Sequence, residues 1–356
     1  MEPRENLDAA IERRRRMRAR RRRLLYLRRT LLLLCCAAIL ALAIATPIWI
    51  VRGIRNHRRS AADSHTDTKP TRTQATVPTQ PEDTIPAVDD DTVRLGSEIV
   101  SEYAVLLDMT DGRVIAAKNP HVQANPASIT KVMTLLVAVE NIPDLDMEYT
   151  MSWKIIDPPY REGASTTGLE TGEVVTLRDL LYGCILPSGA DATAALADYV
   201  ADHEVDYGED DETGFADMMN KKALELGAAN THFTNSSGLH SVYHKTTAMD
   251  MALIMAAAME NPVCRQVLTA REYLIPPTPQ HPDGLLQLST MFKHIGSRNT
   301  CIVAGKTGYT DQALNTLVSY TKISGHEYVF VSMYANGSDK ALEDAHTVYR
   351  TYCGWK

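Results

Sequence analysis

Three kinds of hydrophobic patterning divide the chain. Residues 30–51 form an almost uncharged apolar run of 22 residues, long enough to cross a bilayer as one helix. From 52 to about 91 the pattern disappears. Thr, Pro, Asp, Ser and Gln dominate there, and so few large apolar side chains cannot sustain a packed core, which predicts a disordered stalk. Beyond it, periods of about 2 and 3.6 take turns. Residues 104–108 and 113–118 read as a hairpin around Asp111-Gly112, and 314–321 with 327–334 as a second around Ser324-Gly325. The stretches 177–186, 191–200, 215–226 and 246–259 are apolar at helical spacing. A further helix is expected from Ser128 to Glu140, with Ile129, Val132, Met133, Leu136 and Val139 on its apolar face and Asn125-Pro126-Ala127 as its entry. The stripe Met249, Met251, Met255 and Met259 reads as core filler, not as a cofactor site.

Charge orients this plan. Twelve arginines and four acidic residues precede the apolar run, which predicts a cytoplasmic N-terminus and an outward-facing remainder. Ala43-Ile44-Ala45 offers a signal-peptide cleavage site as the alternative, but the run is longer than a normal signal core, which favours an uncleaved anchor. Next to a span, the arginine cluster is explained by topology and anionic lipid contact. Beyond residue 60 there are 21 Lys and Arg against 40 Asp and Glu, a net of −19, which argues against nucleic acid as partner. The expected organisation is a cytoplasmic Arg-rich tail (1–29), a transmembrane anchor (30–51), a disordered extracytoplasmic linker (52–95) and one catalytic domain (96–356). The acidic cluster between Asp202 and Glu212 reads as a solvated loop. Outside the span, Cys184, Cys264, Cys301 and Cys353 could form disulfides in three pairings or remain buried thiols. His240 and His244 are four apart, but Ser237-Gly238 places them in a loop, and they read as loop or cleft-lining residues, not as zinc ligands.

Three short segments carry the chemistry: Ser128-Ile129-Thr130-Lys131, Ser188-Gly189-Ala190-Asp191 and Lys306-Thr307-Gly308. A serine hydroxyl needs a base within hydrogen-bond reach, and a lysine three positions later on a helix lies on the same face. To accept a proton Lys131 must be neutral part of the time, which burial and a second cation such as Lys306 promote. Lys306-Thr307-Gly308 closes an apolar, β-rich run (300–310) whose small residues would let a ligand backbone approach closely. In this order the segments describe a serine acyl-transfer site that calls for no metal and no cofactor.

At these residues the chain resembles the serine-type D-Ala-D-Ala carboxypeptidases, low-molecular-mass penicillin-binding proteins of peptidase family S11 related to the serine β-lactamases. Pro126-Ala-Ser-Ile-Thr-Lys131, Leu180-Leu-Tyr-Gly-Cys-Ile-Leu-Pro-Ser188-Gly-Ala-Asp191, Asn235-Ser-Ser-Gly-Leu239 and Thr247-Ala-Met-Asp250 all look like family segments. The resemblance covers about Ser97 to Gly354. It implies an α/β (α+β) penicillin-binding, β-lactamase-like fold, an antiparallel sheet flanked by helices with a helical subdomain. It further implies Ser128 as the acylated nucleophile, Lys131 as general base and Ser188 as a proton relay. Lys306 and Thr307 would hold the substrate's terminal carboxylate. Gly308 completes that motif, and the backbone N–H groups of Ser128 and Tyr309 would form the oxyanion hole. The implied substrates are peptidoglycan stem peptides ending in D-Ala-D-Ala, with β-lactams as covalent inhibitors. About 260 residues suffice for one catalytic unit and leave no room for the C-terminal β domain that many relatives carry, so the N-terminal span is expected to be the membrane attachment.

One position departs from the family's commonest pattern: Ala190 stands where Asn is expected. That motivates one alternative, a catalytically weak penicillin-binding regulatory protein; a DD-endopeptidase acting through the same site is a further enzymatic variant. A β-lactamase is disfavoured, because no Glu-x-x-x-Asn segment lies between the second and third motifs.

Overall fold

Alternate residues of the central strands are apolar on both sides, so the sheet needs a cover on each face. The structure, a computed structural model, describes residues 86–201, 214–296, 298–337 and 339–356. The tail, the apolar run, most of the stalk and the acidic cluster after Ala201 lie outside the described residues, among which no helix is long and apolar enough to cross a membrane. Six strands make the sheet: β1 (Val93–Arg94), β2 (Tyr103–Asp108), β3 (Arg113–Lys118), β8 (Ala304–Thr310), β9 (Leu314–Ile323) and β10 (His326–Ala335). Their order is β1-β3-β2-β10-β9-β8, antiparallel except for the β1–β3 pair. Two small hairpins stand apart, β4 (Glu148–Thr150) with β5 (Val174–Thr176) and β6 (Glu272–Ile275) with β7 (Leu285–Leu288).

Val105 and Leu107 of β2 join Val329, Val331 and Met333 of β10 in the core shared with most of the helices. Those helices are α1 (Lys131–Asn141), α2 (Trp153–Glu162), α3 (Leu177–Ile185), α4 (Ala190–Ala201), α5 (Phe215–Glu225), α6 (Ala248–Glu260) and α7 (Pro262–Thr269). α1 runs through their middle and is buried from Lys131 to Ala138. The methionine stripe of α6 is buried in this core, as its spacing predicts. On the opposite face, Ala104, Leu106, Tyr328 and Phe330 meet α8 (Thr290–Ile295) and α9 (Lys340–Cys353). Both expected hairpins and four of the five expected helices form within two residues of their predicted ends.

One expectation changes, and one open alternative is settled. Val93 and Arg94 pair with β3 and Leu95 is buried, so residues assigned to the linker belong to the packed unit. The four cysteines are free thiols; burial pushes Cys264 and Cys353 up to about 12 and Cys301 up to about 11. Apolar packing, and not cross-linking, is what these side chains contribute.

Asp344 of α9 ties the start of the sheet to its outer layer. Its buried carboxylate accepts from Val100 N (2.9 Å), Ser101 N (2.8 Å) and Ser101 Oγ (2.5 Å). Replacing it with alanine leaves three donors without that acceptor, so Asp344→Ala is expected to lower unfolding free energy by about 3 kcal/mol, read from urea denaturation.

Candidate active site

Ser128 lies in a tight 3₁₀ turn, Ala127–Thr130, and α1 begins only at Lys131. The expected α-helical N-terminus at Ser128 is therefore corrected by one turn. The cause is Ala127, whose φ of 53° is a left-handed conformation that interrupts any approach in regular helix. In a 3₁₀ turn side chains three apart eclipse, which serves the pair better than the expected geometry. Lys131 Nζ sits 3.2 Å from Ser128 Oγ.

One long-range contact and one within the turn hold this strained backbone. Thr316 Oγ1 of β9 donates to Pro126 O (2.9 Å), and Thr130 Oγ1 donates to Ala127 O (2.8 Å). Gly238 presses on it so closely that a Cβ there would lie 2.0 Å from Ala127 O, at a φ of 82°. Behind the turn His244 is buried: its Nδ1 accepts from Thr234 N (3.1 Å), so Nε2 carries the proton and donates to Thr130 Oγ1 (2.8 Å). Burial lowers its pKa to about 3 and keeps the ring neutral. His244 thus braces the Ser128 turn instead of lining the cleft, while His240 is exposed.

Lys131 is 2% exposed and also donates to Ser237 O at 2.5 Å. Lys306 is 1% exposed and donates to Thr307 O at 2.6 Å. Burial, reinforced by the nearby Lys131 charge, pulls its pKa down to about 7. The mutual depression expected of two cations therefore shows itself in Lys306.

The second motif is set by Asp191, buried at the start of α4. Its carboxylate accepts from Thr167 N (3.0 Å), Thr167 Oγ1 (2.5 Å) and Ala192 N (2.9 Å), while burial raises its pKa. Ala190 N donates to Ser165 O (2.8 Å), and the preceding Ser188 is buried with a φ of 63°. Ala190 itself is 1% exposed, so the position is packed and not an open gap.

The third motif lies on β8, the edge of the sheet, whose outer backbone row faces the Ser128 turn. A Cβ on Gly308 would lie 2.7 Å from Ser128 N, so only glycine lets the strand run so near. Ser128, Ser188, Lys306, Thr307, Gly308 and Tyr309 line one cavity of ≈ 170 Å³. Lys131, the seventh predicted residue, stands behind Ser128. Thr290 and His294 of α8 complete a wall that the sequence reading missed. Thr290 Oγ1 lies 3.5 Å from Thr307 Oγ1. Nothing local distinguishes these from ordinary surface residues of a short helix.

The family model described as D-alanyl-D-alanine carboxypeptidase, peptidase S11, matches residues 89–337. The chain is 32% identical over 232 residues to the D-alanyl-D-alanine carboxypeptidase DacB2 of Mycobacterium tuberculosis, covering 65% of this chain and 73% of that protein. It is 30% identical to DacF of Bacillus subtilis over 62% of this chain, but spans only 53% of DacF. Among solved structures, a variant of the Streptomyces K15 DD-transpeptidase superposes with a TM-score of 0.65 at 26% identity, covering 72% of this chain and 99% of that one. A D-alanyl-D-alanine carboxypeptidase from M. tuberculosis gives 0.63 at 27% identity, covering 78% and 97%. With this match spanning all three motifs, the chain belongs to the D-alanyl-D-alanine carboxypeptidase (peptidase S11) family.

Proposed function

We propose that the chain is a serine-type D-Ala-D-Ala carboxypeptidase that removes the terminal D-alanine from peptidoglycan stem peptides. The observation that carries the reading is the buried Lys131 Nζ at 3.2 Å from Ser128 Oγ, beside a cavity that also holds Lys306, Thr307 and Ser188. Ser128 Oγ attacks the carbonyl of the penultimate D-alanine as its proton passes to Lys131 Nζ. The backbone N–H groups of Ser128 and Tyr309 receive the oxyanion. The peptide bond then breaks, its amine takes a proton relayed through Ser188, and D-alanine leaves. Water hydrolyses the Ser128 ester, and a β-lactam carbonyl takes the same path to a slower ester. Lys306 and Thr307, with Thr290 beside them, receive the terminal carboxylate.

The proposal extends to location. Residues 30–51 would anchor the protein in a bacterial cell membrane, with the arginine-rich N-terminus inside and the catalytic unit outside. The length of the apolar run and the twelve preceding arginines support this.

Ser128→Ala should abolish both D-alanine release from a peptide ending in D-Ala-D-Ala and the penicillin adduct seen by intact mass; a surviving adduct would place the nucleophile elsewhere. Because Lys306 loses its proton near pH 7 in the free enzyme, its charge is present below that pH and lost above it. The ratio kcat/KM for a peptide acid should therefore fall on the alkaline side of about pH 7, and a profile rising unchanged to pH 10 would remove Lys306 as the carboxylate's cation. Ala190→Asn should alter turnover by less than about tenfold. A gain from near zero would instead mark the natural chain as a binding protein.

A further inference from the structure

Strand β4, the loop that enters α2 and Asp198 of α4 line a separate, half-open hollow of ≈ 370 Å³, within the range of small-molecule sites. Its lining includes Tyr149, Ser152, Trp153 and Asp198. Trp153 is 61% exposed, an indole left in water at the rim of a hollow. Within it, Tyr149 Oη donates to Asp198 Oδ2 at 2.7 Å, which fixes a carboxylate with further acceptor capacity. A flat apolar face beside oriented hydroxyl and carboxylate groups matches a pyranose ring, which presents C–H groups on one face and hydroxyls around its edge. Tyr160, also strongly exposed, lies seven residues after Trp153 and so shares its stripe of α2, about 10 Å farther along the axis. That separation is comparable to one disaccharide.

The fold relates this hollow to the catalytic cleft. Asp198 lies eight residues beyond Ala190 on α4, about 12 Å along the helix. α2 itself runs from Trp153 towards the segment carrying Ser165, which lines the cleft. A five-residue stem bound by its D-alanine end reaches at most about 17 Å. The sugar bearing the stem would therefore fall within range of α2.

We propose that Trp153, with Tyr149, Ser152 and Asp198, forms a subsite for the N-acetylated amino sugars of the glycan strand, so that the enzyme takes stems still attached to glycan in preference to free peptides. The inference rests on the carboxypeptidase reading for its substrate, but its ligand can be tested alone.

The full chain and its Trp153→Ala and Trp153→Phe variants would be titrated with the tetramer of N-acetylglucosamine by calorimetry, and assayed on disaccharide-pentapeptide and on free pentapeptide. The unsubstituted chain should bind the tetramer, Trp153→Ala roughly fivefold more weakly, and Trp153→Phe in between. The preference in kcat/KM for the disaccharide-linked substrate should shrink by a similar factor in Trp153→Ala. Absence of tetramer binding together with equal kcat/KM on the two substrates would overturn the subsite. Tetramer binding lost in Trp153→Ala, with neither substrate cleaved by the unsubstituted chain, would uphold the subsite and overturn the carboxypeptidase reading instead.

Discussion

Two ammonium groups buried near one another cannot both remain fully charged, because each desolvates and repels the other. Lys131 and Lys306 stand in that relation, and much of the site follows from it. Lys306 is drawn down to about 7, and each amine finds a carbonyl: Ser237 O for Lys131 and Thr307 O for Lys306. A carbonyl stabilises an ammonium less than a carboxylate would, which leaves the Lys306 pKa free to be drawn down by burial and the Lys131 charge. The one buried carboxylate of the second motif, Asp191, spends its oxygens on Thr167 and Ala192. It holds the cleft wall in place.

Close backbone approach is the second constraint. The Ser128 turn is gripped between β8, which touches it at Gly308, and the loop at Gly238, with Thr316 and Thr130 as hydrogen-bonded clamps. The left-handed Ala127 is tolerated because these contacts over-determine it, a usual arrangement where a reactive side chain must be presented rigidly. His244 belongs to this scaffold: a neutral ring with a settled tautomer can donate to Thr130 without adding a third cation to the site.

The same α4 whose first turn carries the second motif reaches the aromatic rim on α2 about two turns later. A single rigid helix thus connects the reaction centre with the surface that would meet the polymer. Because α4 and α2 are packed together, the spacing between the two places is fixed by helix geometry and does not depend on a flexible loop.

Element types were legible in the sequence because local periodicity is written into it: the hairpins around Asp111-Gly112 and Ser324-Gly325, and the helices from 177 to 259, form where alternation and helical spacing put them. The three motifs were equally legible, since Ser128 and Lys131 are close in the chain and their pairing needs only a turn. What the tertiary structure alone decided is everything that depends on distant segments meeting. Pro126 O meets Thr316 across 190 residues, Ser237 supplies Lys131 with a backbone oxygen that every residue possesses, and Thr290 reaches Thr307 from a short helix. The 3₁₀ start at Ala127 belongs to the same class, because a left-handed alanine is unfavourable locally and exists only where packing from both sides imposes it. Free thiols at Cys184, Cys264, Cys301 and Cys353 follow likewise from where the core places each side chain, which no spacing in the chain reveals.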